Sequence, residues 1–353
     1  MKKKIVIGGY YGYGSLGDEA VLGVLISELK NRYPDYEITV LCASPAKMKQ
    51  KYGVRCVHRY DAAAIFREFS QAELYISGGG SLIQDATSTR SLRYYCSLIH
   101  IAKSMGLKVY AYANGIGPLK NSELAASALS KCDAVSVRDN TSFDILDSMG
   151  IPSTLSADPF FLCRAAEKSD VRRFLCDRGI YTDKYFTVSL RRCRGKKQID
   201  EDAFLRILLP HIADGEIPIF ISMQDKCDFA LSAAMADITG GYVVTPTDAS
   251  ILLGIQRDAD FAIGMRLHFL LAAAVMGTPL AALSYDNKID NVLSYCAGIR
   301  SYNAFEIADE FHDFDTCLSR EYTVRCDDLR TLAERDIDSI GSLLHTEGEL
   351  VKA

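Results

Sequence analysis

The sequence predicts an α/β protein made of two doubly wound, Rossmann-like halves facing each other across a cleft. Three observations predict it. Short apolar runs alternate with helical-period segments, the pattern of a parallel sheet covered by helices. Glycine-rich turns close several of those runs. Midway, the alternation breaks at Asp158-Pro159-Phe160-Phe161 and then starts again, and 353 residues are too many for one ordinary core.

Taken in order, residues 4–8 read as a strand. Residues 18–32 read as a helix because Val21, Leu22, Leu25, Ile26 and Leu29 recur at i, i+3/i+4 spacing. Residues 37–41 are a strand, 46–52 a short helix, and 74–77 a strand running into Gly78-Gly79-Gly80-Ser81. A helix over 90–105 and a strand over 108–113 follow, ending at Asn114-Gly115-Ile116-Gly117-Pro118. Segments 123–131, 134–137, 141–149 and 154–156 extend the alternation. After the break, a polar helix over 167–178 leads into a strand over 185–190. Helices over 204–211, 226–237, 250–256 and 267–276 then alternate with strands over 218–222, 242–244, 260–264 and 280–284. Segments 288–295, 304–310 and 328–344 read as helical. The predicted domains are residues 1–163 and 164–327, with a terminal helix over about 328–353 crossing back to the first. Ligands of such halves sit beyond the carboxyl ends of the strands.

Composition narrows the class. The chain is 48% hydrophobic and 24% charged, as globular proteins are. A net charge of −5 argues against nucleic acid as a partner, so an anionic ligand needs a local cluster of arginines. The apolar stretch 261–283 contains Arg266, His268 and Pro279, and reads as strand–helix–strand, not as a membrane span. Met1-Lys2-Lys3-Lys4 precedes only Ile5-Val6-Ile7, too short for an export signal. The 11 cysteines, an odd number in a chain read as lacking an export signal, imply reduced thiols in a cytoplasm, and with no C-x-x-C pair no metal site is expected.

The chemistry is expected at strand ends. Phe261-Ala262-Ile263-Gly264 reads as a buried strand, and Met265-Arg266-Leu267-His268 opens a helix whose free N–H groups suit an anion. Ser189 and Arg191 close another strand of the same half. Arg191, Arg266 and His268 converging from separate loops suit a small dianion. In the first half, Gly12-Tyr13-Gly14-Ser15-Leu16-Gly17 matches the dinucleotide fingerprint weakly. Gly9-Tyr10-Tyr11 lengthen the loop, Asp18 and Glu19 would face a pyrophosphate, and Cys42-Ala43-Ser44 stand where an acidic residue belongs. A tyrosine-rich loop ending in Asp18 suits a sugar, although Asp18 also reads as a helix N-cap. Gly79, Gly80, Gln84 and Asp85, and Asn114 one strand later, extend that rim. Arg138-Asp139 reads as a structural ion pair.

These motifs resemble a known family. Gly12-Tyr13-Gly14-Ser15-Leu16-Gly17-Asp18-Glu19, Ser77-Gly78-Gly79-Gly80-Ser81-Leu82-Ile83-Gln84-Asp85, Gly115-Ile116-Gly117-Pro118, Ser136-Val137-Arg138-Asp139, Ala157-Asp158-Pro159 and Gly264-Met265-Arg266-Leu267-His268 come in the order found in polysaccharide pyruvyl transferases. The likeness is closest to the CsaB type and covers about residues 4 to 300. It implies a glycosyltransferase-B-like fold and transfer of pyruvate from phosphoenolpyruvate onto two sugar hydroxyls, with no resident cofactor. For that type the acceptor is a lipid-linked N-acetylmannosamine of a secondary cell-wall polymer, ketalised at O4 and O6 at the cytoplasmic face, where contact with the membrane is peripheral.

The resemblance places the donor site on Arg191, Arg266, Leu267 and His268, to which the strand-end position adds Ser189. His268 is either the general acid or a phosphate ligand, and Asp18 or Asp85 is the base on the acceptor. Acceptor contacts fall on Gly12, Tyr13, Gly14, Asp18, Gly79, Gly80, Gln84, Asp85 and Asn114. Three other classes stay open, the first two being a nucleotide-sugar glycosyltransferase and a sugar- or phosphate-binding protein without catalysis. A dinucleotide oxidoreductase is the third.

Overall fold

The computed structural model describes residues 3–86, 88–193, 197–297, 299, 301–307, 318 and 326–344. The chain divides into two compact units, Met1–Leu162 with Asp327–Ala353, and Cys163–Cys326.

Unit 1 is built on an eight-stranded sheet. Its strands are β1 (Lys3–Gly8), β2 (Tyr36–Cys42), β3 (Arg55–His58), β4 (Leu74–Ser77), β5 (Gly80–Ile83), β6 (Lys108–Ile116), β7 (Ala134–Val137) and β8 (Thr154–Leu155). They lie in the order β3-β2-β1-β4-β6-β7-β8, with β5 beside β6, and the pairings are parallel. Helices α1 (Leu16–Arg32), α2 (Pro45–Tyr52), α3 (Ala62–Phe69), α4 (Thr89–Ser104), α5 (Ser122–Leu129) and α6 (Asn140–Ser148) make the crossovers. Alternate strand residues serve opposite faces. Val6, Tyr75 and Val109 pack with Phe69, Leu92 and Ile99, whereas Ile5, Ile7 and Ile76 pack with Leu22, Leu25 and Leu29 of α1. Both faces are therefore apolar, which is why the central strands read as unbroken hydrophobic runs. In α1 the buried stripe is matched by Asp18 and Glu19 in the first turn and by Lys30 and Arg32 in the last, each favourable to the helix dipole.

Unit 2 has a six-stranded parallel sheet of β9 (Tyr185–Ser189), β10 (Ile217–Ile221), β11 (Tyr242–Val244), β12 (Ala262–Gly264), β13 (Leu280–Ser284) and β14 (Ser301–Asn303), ordered β11-β10-β9-β12-β13-β14. Helices α7 (Lys168–Cys176), α8 (Glu201–Ala213), α9 (Asp225–Thr239), α10 (Ala249–Arg257), α11 (Leu267–Met276) and α12 (Asn287–Ala297) complete it. Leu267 and every residue from Phe269 to Ala274 of α11 are buried, so this helix is apolar nearly all round. The last helix, α13 (Cys326–Leu344), belongs to unit 1 and adds Ile337 and Ile340 to the cluster beneath α1. Its Asp336 carboxylate, buried against the sheet, accepts from Tyr110 Oη and from Ser136 Oγ at 2.8 Å.

Each sheet reverses its winding beside its first strand, and the two reversals are built alike. Gly8 is in register with Ser77, and Gly78 N–H donates to Gly8 O at 2.7 Å. Ser189 is in register with Gly264, and Met265 N–H donates to Ser189 O at 2.7 Å. In open α/β sheets such a reversal sends adjoining loops in opposite directions, and ligands bind beyond the strand ends there.

The elements β3, α3 and β5 are additional to those the periodicity indicated. They are short, and β3 and α3 each bury only part of a face. Asp158 is held by a buried ion pair with Arg138 at 2.6 Å, and a 3-10 turn over Pro159–Leu162 follows it. Arg138 and Asp139 are therefore not each other's partners: Asp139 caps α6, accepting from Ser142 N–H at 2.8 Å. Of the helix expected over 304–310, Ala304 and Phe305 form a turn and Ile307 is helical, because Ser301–Asn303 joins β13 as a strand and Asn303 Oδ1 accepts from Phe305 N–H. Residues 308–310 lie outside the described residues.

Candidate active site

In unit 2 the strand ends at the reversal carry the cations. Arg191 follows β9 by two residues, and Arg266 is the N-cap of α11, with extended backbone at φ −94° and ψ 122°. Gly264 allows this close packing. A Cβ there would lie 2.9 Å from Ser189 O and 2.8 Å from the Phe269 ring.

Arg266 is clamped by an acid that sequence reasoning missed. Its Nε donates to Asp228 Oδ2 at 3.0 Å and its Nη2 donates to Oδ1. Asp228, on α9, has no exposed surface and accepts two backbone N–H groups as well, Met223 at 3.2 Å and Gln224 at 3.0 Å. Burial pushes its pKa above the usual carboxylate value, and the Arg266 charge, those N–H donors and the nearby Arg191 pull the other way. Arg266 in turn is held above its usual pKa by the Asp228 carboxylate, against the effect of its own burial.

Arg191 donates from Nη1 to Tyr285 Oη, and its guanidinium carbon lies 4.8 Å from that ring's centroid. Its buried Nε has no acceptor among the described residues. Lys288 Nζ is 5.8 Å from the same ring. Arg266 thus has a buried carboxylate as partner, whereas Arg191 is bonded to a neutral tyrosine hydroxyl. His268 sits in the first turn of α11, partly buried. Ser189 and Leu267 contribute differently from expectation. The Ser189 hydroxyl donates to Ile221 O at 3.1 Å and is fully buried, and Leu267 packs into the core. What these two positions offer a ligand is backbone.

In unit 1 the loop after β1 is folded onto its neighbours. Gly12 takes φ +77° and packs on the backbone of Ser44, whose hydroxyl donates to Gly12 O at 2.9 Å. Gly14 also requires the left-handed region, at φ +75°. Tyr13 stacks on Tyr10 at 4.3 Å. Asp18 is not the N-cap of α1. Ser15 holds that position and its hydroxyl donates to the Asp18 carboxylate. Gly80, at φ +112°, approaches so closely that a Cβ would lie 3.0 Å from Asp18 Oδ1. Asp18 and Gly80, from separate loops, therefore form one constellation.

The other predicted acceptor positions have structural roles. A side chain at Gly79 would strike Val21 at 2.8 Å, and one at Gly78 would strike the buried Tyr11 hydroxyl at 2.2 Å. Those glycines make room for protein. Asp85 accepts from Lys120 N–H at 2.7 Å, Asn121 N–H at 3.0 Å and Asn121 Nδ2 at 2.6 Å, and the Lys120 and Asn121 donors hold its pKa below the usual carboxylate value. That saturation leaves Asp18, not Asp85, as the available carboxylate. Asn114 is fully buried and its Nδ2 donates to Ser77 O and Tyr112 O. Gln84 is partly buried at the end of β5.

The sequence pattern that defines the polysaccharide pyruvyl transferases matches residues 16–287. The chain belongs to that family. It is a pyruvyl transferase of polysaccharide synthesis. No curated protein matches the pyruvyl transferase significantly in sequence. Its fold is shared with solved structures of low identity. UDP-GlcNAc 2-epimerase from Methanocaldococcus jannaschii superposes with a TM-score of 0.64 at 10% identity, covering 96% of this chain and 99% of that one. S. aureus MnaA in a UDP co-structure gives 0.64 at 11%, covering 98% and 97%. The wall teichoic acid polymerase TagF H548A gives 0.55 at 13%, covering 98% and 89%. The glycosyltransferase-B-like class follows from these.

In this pyruvyl transferase, Asp228 left a faint trace in the sequence, as an acid in the first helical turn after a strand. Arg59, described below, left less, because the strand before it is only four residues long. Among the described residues no group of His, Cys, Asp or Glu could hold a metal ion, and no helix is long and apolar enough to cross a membrane.

Proposed function

We propose that the enzyme takes its pyruvyl group from phosphoenolpyruvate and forms a 4,6-ketal on an N-acetylmannosamine unit of a lipid-linked cell-wall precursor, at the cytoplasmic membrane face. One observation supports the donor: Arg191 and Arg266 stand just past the ends of the paired strands β9 and β12, Arg266 held by Asp228 and Arg191 by Tyr285. A donor bearing both phosphate and carboxylate calls for two cations, and arginine matches either group bidentately.

The reaction then runs as follows. A proton adds to the methylene carbon, and positive charge develops at C2. A sugar hydroxyl attacks C2, phosphate departs with the C–O bond electrons, and the second hydroxyl closes the ring. Arg191 and Arg266 hold the anions, and Asp228 keeps Arg266 in one orientation. His268 is assigned the proton delivered to the methylene carbon. Asp18 is assigned the acceptor proton, since Asp85 is already saturated by Lys120 and Asn121. Backbone N–H groups at Leu267 and His268 add the helix N-terminus to the anion site.

The test is phosphate release from phosphoenolpyruvate with a panel of lipid-diphosphate-linked aminosugars, with product mass read for the added ketal. Release and ketal mass with an N-acetylmannosamine acceptor are expected. Hydrolysis of a nucleotide sugar, with no effect of phosphoenolpyruvate, would instead mark a glycosyltransferase.

A further inference from the structure

Arg59 immediately follows β3, at the same strand-end edge of unit 1 as the Tyr10–Tyr13 loop. It is 4% exposed, and no carboxylate among the described residues pairs with it. Tyrosines take the place of a counter-ion. The guanidinium carbon lies 4.1 Å from the Tyr94 ring centroid, 5.2 Å from Tyr60, 5.2 Å from Tyr95 and 5.5 Å from Tyr13. Its Nη1 donates to Tyr95 Oη at a long 3.3 Å, and its buried Nε has no acceptor among the described residues.

Burying a lone cation costs several kcal/mol, and each tyrosine face returns about 0.5–2 kcal/mol. The collar can therefore hold the charge, but apart from the long bond to Tyr95 Oη it offers ring faces, and the in-plane Nε donor stays unmet. A buried donor left without an acceptor is costly, and a fixed cation with unmet donors is a receptor for an anion. Solvent is one ring away, since Tyr60 lies 59% exposed and Tyr10 36% exposed. The negative charge of Asp18 helps raise the Tyr95 pKa, so the carboxylate proposed for the acceptor lies within electrostatic reach of the collar.

We infer that Arg59 and its tyrosine collar form a second anion subsite, which takes a phosphoryl group carried by the acceptor. This rests on the acceptor being bound by unit 1 near Asp18. The subsite would anchor the phosphoryl end of the acceptor while its sugar is presented to Asp18, and it is separate from the donor's arginines.

Two measurements test it. In turnover, the same aminosugar is offered with a reducing-end phosphoryl group and as its methyl glycoside. The phosphoryl acceptor should be preferred, and Arg59→Gln should remove that preference through acceptor KM by roughly tenfold or more, the effect of one charge-assisted bond. Phosphoenolpyruvate KM should hold, and Arg59→Lys should recover part of the loss. Equal effects on both acceptors, or no preference in the parent enzyme, would overturn the inference. The binding arm needs no turnover. The chain has 19 tyrosines and no tryptophan, so emission from the four collar tyrosines is not masked by indole, and the Arg59 substitutions identify their share of any change. Inorganic pyrophosphate should change that emission saturably in Arg191→Ala/Arg266→Ala, and adding Arg59→Gln or Arg59→Lys should weaken the change. Emission unaffected by pyrophosphate, or unaltered by either Arg59 substitution, also overturns it. Absence of ketal product with every acceptor, alongside intact pyrophosphate binding at Arg59, would count against the proposed reaction and leave the subsite standing.

Discussion

Arg266 grips Asp228 through both Nε and Nη2, although 38 residues separate them in the chain. The acid is fully buried and the base is the N-cap of the helix that carries His268. One edge of the guanidinium is thereby fixed, and the other is aimed by that fixation.

Asp228→Asn should disable the donor site without filling or emptying space. Removing one partner of a buried pair costs about 3–5 kcal/mol. Denaturant unfolding should report a loss of that order, and phosphoenolpyruvate KM should rise. An unchanged KM would mean that Asp228 serves stability alone.

Arg266→Lys keeps the charge but loses the planar fork, so the bidentate contact with Asp228 cannot form. Donor KM should rise by roughly 10- to 100-fold, equivalent to one charge-assisted bond of about 1.5–3 kcal/mol. Acceptor KM should stay near that of the parent.

His268→Ala should lower turnover by roughly 10²–10⁴-fold, the usual contribution of a positioned acid. Single-turnover phosphate release is the measurement. Normal turnover would remove His268 from the mechanism, and a rise confined to donor KM would make it a phosphate ligand.

Gly80→Ala should impair acceptor chemistry specifically. Its φ of +112° is unsuitable for alanine, and the new methyl would press on Asp18 Oδ1. Asp18→Asn should mimic the loss in kcat with little change in phosphoenolpyruvate KM.

Stability should depend on pH through Asp336. Burial raises its pKa from 3.8 to about 6, so the folded protein holds that proton more tightly than the unfolded chain. The contribution is fully present below about pH 4 and is lost as pH rises through about 6. Denaturant midpoints of the parent and of Asp336→Asn, measured between pH 4 and pH 7.5, should show that slope only in the parent.

Much of the architecture was legible because parallel strands buried on both faces leave continuous apolar runs, as at Ile5–Ile7 and Ile76, and because α1 carries its stripe at helical spacing. Arg191, Arg266 and His268 stood out as charges at the ends of such runs. The loop glycines could be read only in part. Gly78 and Gly79 look like room for a ligand, yet Tyr11 and Val21 occupy that room. A glycine's sequence says that something approaches closely, and it does not say what.

The sequence by itself determined the alternation of strands and helices, the family, and which residues bear charge at strand ends. These are local or periodic properties, encoded in neighbours three or four positions apart. Only the tertiary structure decided that Asp228 clamps Arg266, that Asp85 is saturated by Lys120 and Asn121, and that Arg59 sits among tyrosines with no carboxylate paired to it among the described residues. Those outcomes depend on which loops the sheet order brings together, and pairing between distant segments leaves no period along the chain.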